Sequence, residues 1–215
     1  GQAAVHLLEA AGWTVHIPTE SICCGLTWIS TGQLDTAKSM VRRTAGLVAD
    51  HVRAGGLVVG LEPSCTAVFR KDAAELLGRN HPGVSAVAER THTLAELLLR
   101  RPGWQPPDLS GVRGVAQPHC HHHAVMGWRA DEELLRRAGA SIAPVGGCCG
   151  LAGNFGAERG HFDVSVAVAE TSLLPAVRAA GQDAVILTDG FSCRTQLEHL
   201  AHRQGRHLAE ILAPR

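Results

Sequence analysis

Val145-Gly146-Gly147-Cys148-Cys149-Gly150-Leu151-Ala152-Gly153-Asn154-Phe155-Gly156 is the stretch on which the reading of this chain turns. Two adjacent cysteines sit among five glycines, so the thiols belong to a loop whose backbone bends freely. Adjacent cysteines rarely bond to each other, because the ring strains the intervening peptide. A shared metal or cluster is the more natural use of such a pair. The same signature occurs earlier as Ile22-Cys23-Cys24-Gly25-Leu26. Each pair is followed by a single cysteine, Cys65 after 41 residues and Cys193 after 44. The seventh, Cys120, lies in Pro118-His119-Cys120-His121-His122-His123, so every cysteine of the chain belongs to a motif.

Working outward, the elements around the two loops repeat. In the first half, apolar spacing predicts a helix over 2–11, and Trp13-Thr14-Val15-His16-Ile17 alternates as a strand. After the Cys23-Cys24 loop comes a long helix over 34–54, stopped by Gly55-Gly56. An apolar strand over 57–61 delivers Glu62-Pro63-Ser64-Cys65, and helices follow over 66–77 and 94–99. A proline-rich connector spans 101–111. The second half then offers a strand over 112–116 ending in the Cys120 motif, a helix over 124–138 and a strand over 141–145. Past the Cys148-Cys149 loop come a helix over 161–180, a strand over 184–187 with Gly190-Phe191-Ser192-Cys193, and a closing helix from Thr195. The tails agree as well: His92-Thr93-Leu94-Ala95-Glu96-Leu97-Leu98 matches His207-Leu208-Ala209-Glu210-Ile211-Leu212.

Alternating strands and helices predict an α/β fold of two pseudo-symmetric lobes, 1–100 and 112–215, each a small parallel sheet flanked by helices. The cysteine motifs fall at the C-terminal ends of strands, where such sheets bind ligands. The strand that brings in Cys120 has no counterpart in the first half. That counterpart would precede Gly1, and the chain opens without Met in what reads as a helix under way. Both features lead us to expect a piece of a longer polypeptide.

Composition narrows the function. With 215 residues, 45% hydrophobic and 19% charged, the chain is globular. Twenty basic side chains balance twenty acidic ones, so no net field argues for nucleic acid or a membrane surface. No apolar run approaches the ~20 residues of a membrane span and no signal peptide opens the chain. An odd number of cysteines, four of them vicinal, points to reduced thiols in a cytoplasmic setting.

Thiolates are soft ligands suited to iron–sulfur clusters or zinc. Cys120, Cys148, Cys149 and Cys193 form a complete four-thiolate set. Cys23, Cys24 and Cys65 form a set of three, whose missing ligand could be Glu62, a histidine, solvent, substrate or a residue preceding Gly1. His119, His121, His122 and His123 around Cys120 invite a zinc reading, one of them as a ligand or proton carrier, or else as hydrogen-bond donors to the cluster thiolates. His161, Asp163, Asp189, Arg194 and Gln196 also lie near the predicted rim, and there helix caps and solvated faces are the plainer reading. Buried core cysteines would explain single thiols and leave repeated vicinal pairs unexplained. The glycines of the second loop are no phosphate loop, because no Lys-Ser/Thr follows them. Trp13, Trp28, Trp104 and Trp128 read as packing residues.

These motifs resemble the cysteine-rich CCG domain found in the B subunit of heterodisulfide reductase, in the iron–sulfur subunit of glycolate oxidase, and in the C subunit of anaerobic glycerol-3-phosphate dehydrogenase. They look most like the C-terminal domain of FAD-linked oxidases acting on D-lactate and D-2-hydroxyglutarate. Gly60-Leu61-Glu62-Pro63-Ser64-Cys65, His119-Cys120-His121, Cys148 to Gly156 and Asp189-Gly190-Phe191-Ser192-Cys193-Arg194 carry that likeness. In heterodisulfide reductase the motif is Cys, Cys-Cys, Cys-x-x-Cys. Glu62 and Gly190 stand here where Cys-x-x-Cys begins, so five-thiolate ligation is impossible in either half. The resemblance implies an iron–sulfur electron-transfer module, with [4Fe–4S] clusters or with zinc in protein handled in air. FAD would sit elsewhere in the polypeptide or in a partner subunit, and a quinone or redox protein would accept the electrons. The module would be cytoplasmic or at the inner face of the membrane, and not catalytic alone. Two other functions fit the residues: a zinc-stabilised domain that docks a flavin module, and a thiol–disulfide reductase using the vicinal pairs.

Overall fold

In the computed structural model, which describes residues 1–213, the first half opens with α1 (Gln2–Ala10), α2 (Leu26–Ser30) and α3 (Leu34–Arg53). Helix α3 buries Ala37, Val41, Thr44, Ala45, Val48 and Val52, one stripe at the 3.6-residue period. Asp35 in its first turn and Arg53 in its last complement the helix dipole. Strand β1 (Val58–Gly60) leads into α4 (Pro63–Ala67), which has proline at its first position and Glu62 as N-cap. A π-helical turn over Val68–Asp72, α5 (Ala73–Leu77) and α6 (Pro82–Arg90) return the chain to β2 (Thr91–Thr93) and α7 (Leu94–Leu99). Strands β1 and β2 pair in parallel, Val59 opposite His92.

The second half begins with β3 (Arg113–Ala116), a π-helical turn over His122–Met126 and α8 (Arg129–Arg137). Next come β4 (Ser141–Pro144), α9 (Phe162–Thr171), α10 (Leu173–Ala179) and β5 (Val185–Leu187), then α11 (Phe191–Ala201) and α12 (Leu208–Leu212). Its sheet is parallel in the order β4-β3-β5. Leu187 also bridges Arg206 in parallel. That contact matches β1–β2 in register: Val59 and Leu187 each lie six residues before the single cysteine of their half. Helices α7 and α12 open on capping boxes, Thr93 with Glu96 and His207 with Glu210.

The fold is the expected mixed α/β architecture of two small parallel sheets flanked by helices. Several elements differ from the sequence reading. Residues 13–17 form no strand. In the second half the equivalent strand, β4, hydrogen-bonds only to β3, and the first half has no counterpart of β3 among the described residues. An alternating segment without a neighbour has nothing to ladder with. The helix expected over 161–180 breaks at Ser172, since Pro175 clashes with the carbonyl four residues back, that of Thr171. The helix expected over 124–138 is interrupted at Gly127, whose φ is +71°. Helix α6 and strand β2 are additional elements, the former announced only by Pro82.

One core joins the halves. Helix α1 packs on α12 and α7 packs on α8, so each half's leading helix lies against the other half's trailing helix. Leu7, Leu8, Leu98, Leu134, Leu208 and Leu212 are buried together there.

Candidate metal centre

The single cysteines occupy the same place in both halves. Cys65 is the third residue of α4 and Cys193 the third of α11, each in the first turn of its helix. The second cysteine of each vicinal pair faces it. Cys24 Sγ lies 2.8 Å from Cys65 Sγ, and Cys149 and Cys193 are buried in one cluster. The first cysteine of each pair is half-buried and accepts a backbone N–H two residues on: Gly25 to Cys23 at 3.5 Å, Gly150 to Cys148 at 3.4 Å.

Close thiols share a proton. The hydrogen bond from Cys193 brings Cys149 down to about 6 against the pull of burial, and Cys193 is pushed far up in return. In the first half the bond from Cys65 lowers Cys24 to about 7 and raises Cys65. Cys120 is exposed as a residue, yet burial of its sulfur and the nearby Cys148 and Cys149 raise its thiol above the ordinary value. Cys120 therefore senses the charge of Cys148 and Cys149, and Cys193 that of Cys149 and Cys120. In the first half, Glu62 and Cys23 add to the negative charge around Cys65.

Glycine is required in the second loop. Gly150 has φ +90°, and a Cβ there would meet the Ser165 carbonyl oxygen of α9 at 2.1 Å. Gln196, fully buried, clamps the same loop by donating to the Cys149 carbonyl and to Ser165 Oγ, both at 2.9 Å. In the first half Thr44 holds Cys23, donating to its carbonyl at 2.7 Å and accepting its N–H at 3.2 Å. Sequence reasoning placed Gln196 near the rim without this role and gave no role to Thr44 or Ser165.

The two positions that begin Cys-x-x-Cys in the heterodisulfide reductase motif carry different structures here. A Cβ at Gly190 would lie 2.3 Å from His119 Cδ2, so the imidazole fills the space a cysteine would need. His119 Nδ1 accepts the His121 N–H at 3.2 Å, which leaves Nε2–H to donate to Ser192 Oγ at 3.2 Å. Burial holds His119 below the usual histidine range. Glu62 spends both oxygens on helix starts: Oε1 accepts from Ser64 N–H and hydroxyl, Oε2 from Phe191 N–H at 2.8 Å. The carboxylate thereby ties the cysteine-bearing helices α4 and α11 together. His121 retains a buried Nδ1 without a hydrogen-bond partner beside Cys120. Asp189 lies apart from the sulfurs, accepting Leu208 N–H at 2.7 Å, and His161 pairs with Glu158 at 3.3 Å.

The donor set fits a thiolate-bound cluster: soft sulfurs, one thiol of each contacting pair held below its ordinary value, and N–H groups aimed at the first cysteine of each pair. It fits one zinc ion less well. Tetrahedral zinc with sulfurs at about 2.3 Å needs them about 3.8 Å apart. No three sulfurs of the described residues lie within 4.8 Å of one another.

A parallel α/β frame with paired Cys-Cys-Gly loops defines a cysteine-rich, thiolate-bearing module. Residues 1–70 match the family model of the cysteine-rich domain, CCG, so the motif resemblance is shown there. Over 217 residues the chain is 25% identical to the C subunit of the anaerobic glycerol-3-phosphate dehydrogenase of Escherichia coli (strain K12), covering 99% of this chain and 54% of that protein. It is 27% identical over 179 residues to the D-2-hydroxyglutarate dehydrogenase of Pseudomonas putida, covering 82% of this chain and 17% of that one. Lactate utilization protein A of Bacillus subtilis is 25% identical over 233 residues, with 100% and 92% covered. The chain thus spans about half the length of the glycerol-3-phosphate dehydrogenase component. No helix of the described residues is long and apolar enough to cross a membrane.

Proposed function

We propose that this chain is the iron–sulfur electron-transfer module of a flavin-dependent 2-hydroxyacid dehydrogenase. Cys120, Cys148, Cys149 and Cys193 would hold one [4Fe–4S] cluster. Cys23, Cys24 and Cys65 would hold a second; His121, with a buried Nδ1 free of hydrogen bonds, is a further nitrogen donor beside Cys120. When bound, such a cluster accepts and releases one electron at a time. The protein's part is to keep Cys24 and Cys149 ionised through hydrogen bonds from Cys65 and Cys193, to aim Gly25 and Gly150 N–H groups at sulfur, and to fix the loops through Thr44 and Gln196. The substrate class is supported by the names of two relatives, the D-2-hydroxyglutarate dehydrogenase and lactate utilization protein A. The FAD in a neighbouring domain or subunit and the quinone or protein acceptor are what the motif resemblance implies, and a cytoplasmic location is what reduced thiols imply.

The reading is supported above all by the repeated placement of a vicinal cysteine beside the single cysteine of its half, Cys24 by Cys65 and Cys149 by Cys193, with no three sulfurs of the described residues within 4.8 Å of one another. Anaerobic purification followed by iron and sulfide analysis tests it. The expected product is brown, with about four of each per cluster. A colourless protein carrying stoichiometric zinc after anaerobic reconstitution would favour the zinc-stabilised docking domain instead.

A further inference from the structure

A second set of ligand-type side chains lies away from the sulfurs, at the seam between the halves. His122 Nε2 and Asp131 Oδ2 stand 3.1 Å apart, both side chains almost fully buried. They are not aligned for a hydrogen bond, and each atom lacks any partner. Asp189 completes a group whose donor atoms all lie within 4.8 Å of one another, the one such group of three among the described residues. Beside them is a void of about 10 Å³ walled by Leu61 and Thr93 of the first half and by His122, Asp131, Asp189 and His207 of the second. That is room for one sphere the size of a water molecule.

Two carboxylates face one imidazole. Asp189 accepts the Leu208 N–H at 2.7 Å and lies 3.6 Å from Nε2 of the neighbouring His207, which is committed to a backbone carbonyl. Its Nδ1 accepts Ala209 N–H at 3.0 Å, so its Nε2–H donates to Leu61 O at 2.9 Å. Buried carboxylates are costly unless paired with a cation. The separation, that of an ordinary ion pair, also suits an octahedral ion: two ligands each about 2.1 Å from it at roughly a right angle lie about 3 Å apart. One imidazole with two carboxylates suits zinc or manganese, and is too hard a set to share an iron–sulfur cluster.

We propose that His122, Asp131 and Asp189 bind a single divalent cation of the manganese–zinc class. The ion would clamp the end of β5 and the start of α8 to the turn that follows Cys120, and so fix Cys120 relative to Cys193. The site uses no cysteine and stands whether or not the thiolates hold a cluster.

Manganese(II) is the probe, since thiolates bind it weakly. The full chain, purified anaerobically with its iron, is titrated with manganese(II) and followed by electron paramagnetic resonance. One saturable site per chain is expected, displaced by zinc, with an imidazole nitrogen coupling in the pulsed spectrum. Asp131→Asn and His122→Gln should each weaken binding at least about tenfold, whereas Cys149→Ser should leave it intact. Absence of saturable binding in the unsubstituted chain overturns the proposal, and so does a bound ion with no nitrogen coupling. These two readouts decide the matter even where a variant fails to fold. Loss of binding in Cys149→Ser equal to that in Asp131→Asn would assign the ion to the thiolates and overturn it as well.

Discussion

The two halves carry the same cysteine geometry on unequal frames. In each, the second cysteine of a vicinal pair meets the third residue of a helix that follows a parallel strand, and the first cysteine takes an N–H from the glycine. The second half adds β3, and with it a three-stranded sheet and Cys120. The first half has two strands and three thiols. Its Cys65 is half-buried where Cys193 is buried. Thiol geometry therefore depends on the local strand–loop–helix unit, while completeness of the ligand set depends on the extra central strand. Between the halves, Glu62 caps both cysteine helices and His207 donates to Leu61 O, so neither unit is finished without the other.

The largest expected effect sets the two sites against each other. Cys149→Ser should remove most of the iron of its half, because it takes away a buried thiolate from a four-thiolate set. Cys24→Ser should cost less of the total, since a three-thiolate site leaves one iron open and loses its cluster more easily beforehand. Metal analysis on anaerobic protein is the check. Equal losses would mean one site shared by both halves.

Next is the glycine of each loop. Gly150→Ala combines a left-handed φ, about 1–2 kcal/mol for an L-residue, with a Cβ 2.1 Å from the backbone oxygen of Ser165. Overpacking of that kind adds about 1–3 kcal/mol, so the total should reach about 3 kcal/mol. At Gly25 the φ is +80° but the nearest atom, Ala37 O, is 3.2 Å away. Gly25→Ala should cost about 1–2 kcal/mol. Denaturant unfolding of the two variants measures the difference, and reversal of their order would show that the first loop is the more tightly seated.

The smallest effect concerns protons. In metal-free protein, thiolate ultraviolet absorbance should rise in two steps, with midpoints near about 6 for Cys149 and about 7 for Cys24. Both lie below the ordinary thiol value, so both thiols are ionised at pH 8. Cys193→Ala removes the donor that holds Cys149 down, and the lower step should move upward in pH. A single step near the ordinary thiol value would show that the contacting pairs do not form in solution.

Much of this arrangement was legible from residue spacing. The recurrence of Cys-Cys-Gly-Leu and Ser-Cys carried the strand–loop–helix order, and the matching tails carried the capping boxes, which are local devices. Asp131 was not legible: an acidic residue in the first turn of a charged amphipathic helix reads as solvated, and only packing buries it beside His122. Glu62 read as a candidate ligand, but a chain position cannot reveal that its second oxygen serves Phe191, 129 residues away.

By itself the sequence determined the parallel α/β class, the duplicated motif and which thiols belong to which half, because these follow from short-range periodicity and turn chemistry. Tertiary structure alone decided that residues 13–17 remain unpaired, that His119 occupies the space above Gly190, and that α1 crosses to α12 while α7 crosses to α8. The physical reason is common to all three. A strand needs a neighbour, a ring needs a vacancy and an apolar helix face needs a partner, and each is supplied by residues distant in the chain.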